Sequence, residues 1–198
     1  MSPLIILIPR DAALRIRDGG SWGAVTFRVV AAENAGYVYQ VSSGPEMPLL
    51  PVEMRPERRH FLSAGDVRPG SLWYRVRPEL HVCWWLNRRQ MTQLTLDYFR
   101  SQVDSGFKNP GRATYIAITY APGAADLSED VPIPEFVAWR VTSDGVSPLD
   151  IECEPEVQGN AQLAPYWPVP VLEGTTVMVI GVGSIGGAAA HALAAYGV

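Results

Sequence analysis

The groups best placed to do chemistry are three glycines and one cysteine. Gly181, Gly183 and Gly186 fall in "VMVIGVGSIGGAAAHALAAYGV" as G-x-G-x-x-G, between the apolar run Val177 to Ile180 and an Ala-rich stretch. The order reads strand, tight turn, helix: Gly181 permits the turn, Gly183 lets backbone approach a phosphate, and Gly186 lets the helix pack on the strand. The helix start then offers unpaired N–H groups and the positive end of its dipole to the phosphates. Cys83 is the other candidate, as a thiol nucleophile, with His81 two residues before it in "LHVCWWL". Read as a strand, that segment turns both side chains to one face, where they can meet. Against catalysis, a cysteine flanked by Val82, Trp84 and Trp85 has the setting of a buried, inert thiol.

Other chemistries find less support. His60, His81 and His191 are too scattered for a metal triad by spacing. Lys108 is the sole lysine and forms no Walker loop, so P-loop chemistry is excluded. "GVGSIGG" does not place Ser184 in a G-x-S-x-G elbow, so serine hydrolysis is unsupported. Asp97 reads as a solvated or capping acid. Residues 51–100 hold nine Arg against five acids and residues 101–198 three bases against eleven acids, which argues against a general nucleic-acid binder. Arg55, Arg58, Arg59 and the pair Arg88, Arg89 read as a solvated face and receive no chemistry.

Compartment follows from the cysteines and the apolar runs. Cys83 and Cys153 are too few for a disulfide framework, which suits a reducing environment. "MSPLIILIPR" lacks the charged start and long apolar stretch of a signal peptide. No run reaches the roughly 20 apolar residues that cross a bilayer. A cytoplasmic protein is expected.

The elements that must position these groups are mostly strands. "LIILIP", "AVTFRVV", "GYVYQVSS", "SLWYRV", "LHVCWWL", "ATYIAITYAP" and "EFVAWRVTSDGV" are rich in β-branched and aromatic residues, with "SPLDIECEPEV" as a candidate last strand. "MTQLTLDYFRSQVDSGF" spaces Met91, Leu94, Tyr98 and Val103 as an amphipathic helix that Gly106 ends. Residues 42–72 read as a long irregular stretch, and "GAADLSEDVPIP" as a surface loop. Pro165, Pro168 and Pro170 keep a connector extended. The expected organisation is a strand-rich domain over residues 1–155, a Pro-rich linker over 156–171, and a strand, glycine loop and helix over 172–198. The chain ends twelve residues after Gly186, so a ribose-binding acid and second parallel strand would fall beyond Val198 and the last unit is expected to be incomplete.

"LEGTTVMVIGVGSIGGAAAHALAAYGV" resembles the opening of the ThiF/MoeB/ubiquitin-activating (E1-like) adenylyltransferase family, in which this loop begins the ATP site. The resemblance implies that Gly181, Gly183 and Gly186 lie against ATP phosphates, with magnesium in the complete enzyme. It further implies that the parent adenylates the C-terminus of a ubiquitin-like or sulfur-carrier protein, and that this chain alone is inactive. The glycines also fit a rival, an NAD(P)-binding fragment of an oxidoreductase.

"LHVCWWLNRRQMTQLTLDYFR" has a fainter likeness to JAB/MPN (Mov34-type) domains. The metal-binding histidines of that family would fall on Leu86 and Arg88, its proline on Arg89 and its serine on Leu94, leaving only Asp97, and no Glu stands in "GGSWGAVTF" for the early catalytic acid. Leu and Arg cannot replace two imidazoles on zinc, so the likeness implies a degenerate, non-catalytic binding module with no metal. E1-like proteins are also found fused to E2-like domains, which gives Cys83 an alternative role as a thioester-forming residue. The expected fold is therefore α/β or α+β, a mixed-sheet JAB/MPN-like domain before a truncated Rossmann-like βα unit. The partners implied are a ubiquitin-like or sulfur-carrier protein or a second copy of the chain, with no nucleic acid and no membrane.

Overall fold

A computed structural model describes residues 4–53, 65–103, 106–128, 131 and 133–154. The chain divides into two units, Met1–Glu154 and Pro155–Val198, and the fold below is that of the first. The expected linker and βα unit lie outside the described residues.

The described elements are β1 (Ile5–Ile8), α1 (Arg10–Arg17), β2 (Trp22–Val30), β3 (Ala35–Val41), β4 (Leu50–Pro51), β5 (Asp66–Arg75), α2 (Glu79–Gln90), α3 (Leu96–Gln102), β6 (Tyr115–Tyr120), β7 (Phe136–Thr142) and β8 (Gly145–Cys153). The strands run β1-β8-β7-β6-β5-β2-β3, and β3 returns to β1, which closes a seven-stranded barrel; β4 adds to β3. β1 lies parallel to both β3 and β8, and β5 parallel to β6, whereas the other ring pairs are antiparallel. Closure removes the edges that an open sheet must protect.

This corrects the expected fold class. The first unit is a closed mixed barrel with few helices, not a JAB/MPN-like mixed sheet leading into a Rossmann-like arrangement. The physical reason is β1, whose four apolar residues bridge the two ends of the sheet. Three local expectations change with it. "LHVCWWL" is the body of helix α2, not a strand. The helix expected from Met91 starts at Leu96, with Thr95 Oγ1 accepting the Tyr98 N–H at 3.2 Å. "RDAALRIR", given no element in the sequence reading, is helix α1.

Strand alternation sorts the apolar side chains into two cores. Ile118, Tyr120, Phe136, Ala138, Leu149, Ile6, Ile8, Phe27 and Trp73 fill the barrel with Ala12, Ala13 and Ile16 of α1. Tyr74, Ala117, Val137, Trp139, Val141 and Val146 form an outer layer that packs on Leu80 and Trp84 of α2 and Phe99 of α3. Both helices sit in the crossover between parallel β5 and β6, where such a connection places them on a sheet face. Gly23 is required on β2, because a Cβ there would overlap Trp73 Nε1.

Candidate functional site

The helical state of residues 79–90 decides what His81 and Cys83 can do. On a strand they would share a face; on a helix, positions two apart lie about 200° around the axis from each other. His81 accordingly faces the barrel wall with no solvent exposure, while Cys83 is half-buried on the other side. His81 Nδ1 lies 2.7 Å from the Pro134 carbonyl, which only accepts, so Nδ1 carries the hydrogen. Nε2 then accepts from Thr119 Oγ1 at 2.9 Å, and the same oxygen accepts the Trp139 Nε1–H at 3.0 Å. Each polar group of this buried chain is used. Burial also lowers the His81 pKa to about 4, so the ring stays neutral at neutral pH. The pairing of His81 with Cys83 is thus overturned.

Cys83 Sγ instead meets Tyr98 Oη at 3.4 Å, across from α2 to α3. The bond to Cys83 first, then burial, raises the Tyr98 pKa. Cys153 is of a different kind: burial pushes its thiol up to about 12, which keeps it protonated and inert.

The Arg pair is exposed, as expected of a solvated face, but Arg88 also lines a cleft. Arg88 lies on the same stripe as His81 and Trp84, one turn past the wall that seals them. Its Nε donates to Asp150 Oδ1 of β8, and its guanidinium lies 5.6 Å from the centre of the Trp84 ring. Arg89 stacks over Trp85 at 4.7 Å. α2 stops at Met91, whose φ of 55° is left-handed, and the chain turns back toward β8. Leu94 and Val146 exchange backbone hydrogen bonds at 2.9 Å, which fixes the segment against β8. Between them opens a cleft of about 790 Å³, bounded by Asn87, Arg88 and Met91 on one side and Ser147, Pro148 and Asp150 on the other. Thr92 and Gln93 complete its floor.

The structure does not gather the positions that the JAB/MPN likeness aligned with a metal centre. Leu86 is 42% exposed, Arg88 is paired with Asp150, and Asp97 is exposed in the first turn of α3. Among the described residues no group of three or more His, Cys, Asp or Glu side chains is close enough to hold a metal ion, and no helix is long and apolar enough to cross a membrane. Gly181, Gly183, Gly186, Ser184, His60 and His191 lie outside the described residues.

Asp150, Thr119, Gln93 and Ser147 were not anticipated as partners of these groups. Thr119 carried one signal, a polar residue inside the apolar strand "YIAITY", where a buried hydroxyl needs partners. Asp150 carried none, since it meets Arg88 across 62 residues.

No family model matches the chain, and no curated protein matches it. Among solved structures it is similar to the solution structure of protein DSY2949 from Desulfitobacterium hafniense, at a TM-score of 0.38 and 11% identity, over 78% of this chain and 95% of that one.

Proposed function

We propose that this chain is the N-terminal region of an E1-like adenylyltransferase, and that its barrel is the module that recognises the ubiquitin-like or sulfur-carrier protein the complete enzyme activates with ATP and magnesium in the cytoplasm. The observation that carries the reading is the sequence pattern Gly181, Gly183, Gly186 between an apolar run and an Ala-rich stretch. The barrel supports a recognition role because it holds an open cleft with polar groups directed across it from α2 and β8. Arg88 and Asp150 of the cleft come from a helix and a strand, which suits binding.

ATP–pyrophosphate exchange in the complete enzyme checks this. The expected outcome is exchange that depends on a carrier protein with a C-terminal Gly-Gly and is lost in Gly183→Asp, where a side chain would block approach of backbone to phosphate. Binding of NAD(P)H in place of ATP would instead identify an oxidoreductase fragment.

A second reading has one observation in its favour, the partly accessible Cys83 thiol held 3.4 Å from Tyr98 Oη. In it Cys83 accepts the carrier as a thioester. A thiol-sensitive adduct formed from a preloaded carrier thioester, and absent in Cys83→Ala, would establish it in place of simple recognition.

A further inference from the structure

We propose that the cleft between the last turn of α2 and the start of β8 binds the free carboxylate end of an extended peptide, with Arg88 as its anchor. Arg88 commits Nε to Asp150, and its two terminal nitrogens have no hydrogen-bond partner among the described residues. The plane of the guanidinium is fixed twice, by Asp150 along one edge and by the Trp84 ring beneath it. A guanidinium held in this way presents Nη1 and Nη2 as a fork whose spacing matches the two oxygens of a carboxylate. Because the side chain is already ordered, binding costs it little further entropy. It is also 51% exposed, so the fork remains accessible.

The rest of the wall adds several acceptors beside this fork. Thr92 Oγ1 donates to Asn87 Oδ1 at 2.7 Å and Ser147 Oγ donates to Gln93 Oε1 at 3.3 Å. With their hydrogens committed, both hydroxyls have only acceptor lone pairs left to offer. Asp150 has a second carboxylate oxygen beyond the one that meets Arg88. Pro148 has no N–H, so the β8 wall donates nothing at that point.

A donor fork beside a set of acceptors is the complement of a chain end, which carries a carboxylate followed by backbone N–H groups. Phosphate fits less well: its dianion would face the Asp150 carboxylate and has no N–H for the acceptors. Met91, 94% exposed, and Pro148 offer apolar surface to the peptide stem. The volume lies within the roughly 300–1,000 Å³ of ligand clefts. That the peptide is the tail of the carrier rests on the proposed function; the site itself does not.

The test titrates the full chain with a short peptide ending in Gly-Gly, as the free acid and as the C-terminal amide, followed by tryptophan fluorescence. The acid is expected to bind about tenfold more tightly than the amide. Arg88→Gln should abolish that preference, and Asp150→Asn should keep it. Equal affinity for acid and amide in the unaltered chain overturns the proposal, and that comparison needs no variant to fold. A preference surviving in folded Arg88→Gln, or inorganic phosphate outcompeting the acid peptide, overturns it as well. Carrier-independent exchange alongside an intact acid preference refutes the proposed function and leaves the site standing; the reverse result refutes the site alone.

Discussion

His81 and Arg88 lie seven residues apart on one stripe of α2, yet their surroundings differ in what they leave unused. Around His81 the outer layer closes over the helix, and Pro134 and Thr119 occupy both imidazole nitrogens while Thr119 also accepts the Trp139 N–H. Around Arg88 the cleft opens against β8, and Asp150 takes one nitrogen of three. The difference separates a polar group that specifies packing from one that remains available to a ligand. A buried polar chain is stabilising only when complete, whereas an exposed pair contributes little to folding and keeps its donors.

The sharpest way to break the contrast is Thr119→Val. It preserves shape but strands the Trp139 N–H and the His81 Nε2 lone pair, both buried. A loss of about 4 kcal/mol is expected from two unsatisfied groups, read from the urea midpoint of unfolding. A loss below about 1 kcal/mol would mean that the chain contributes no specificity to packing.

Acid is expected to act on the same end of the helix. His81 titrates at 6.5 when unfolded and about 4 when folded, so the unfolded state binds the proton more readily. Stability is therefore complete above the unfolded value, falls as pH drops from 6.5 toward about 4, and loses nothing more from this group below that. The loss at the bottom of the window is roughly 3 kcal/mol. Urea unfolding across the window should show it in the unaltered protein, and His81→Asn should flatten the His81 component.

The other end of α2 should respond much less. Arg88 and Asp150 keep 51% and 26% of their side-chain surface exposed, so Arg88→Gln should change stability by less than about 1 kcal/mol. A larger loss would make Arg88 a structural residue like His81 and erase the distinction.

Parts of this contrast were legible in the sequence and parts were not. β1, β6 and the cores of β2 and β3 were readable because their apolar residues alternate or run together between turn signals. β7 and β8 were partly merged because "TSDG", a tight turn between paired strands, was read through. α2 was misread because it is apolar on both sides: Leu80 and Trp84 pack inward, while Val82 and Leu86 occupy the outer face and hide the helical period. Trp84 and Trp85, residues that favour strands, completed the disguise. Barrel closure had no local signal, since β1 pairs with strands about 30 and about 145 residues away. The cleft was hidden for the same reason, with Arg88 and Asp150 joined by the fold alone.

Met91 offers the smallest effect and the finest test of the open end. It caps α2 in the left-handed region at φ 55°, where a side chain costs energy and glycine does not, and its own side chain is 94% exposed. Met91→Gly should therefore raise stability by about 0.5 to 1 kcal/mol, since strain is relieved and almost no packing is lost. The same change removes apolar surface from the cleft while leaving the Arg88 fork in place. Peptide affinity should fall a few-fold with the preference for the free acid unchanged. A gain in folding stability together with a loss in binding would show that this turn is shaped for the cleft and not for the helix it ends.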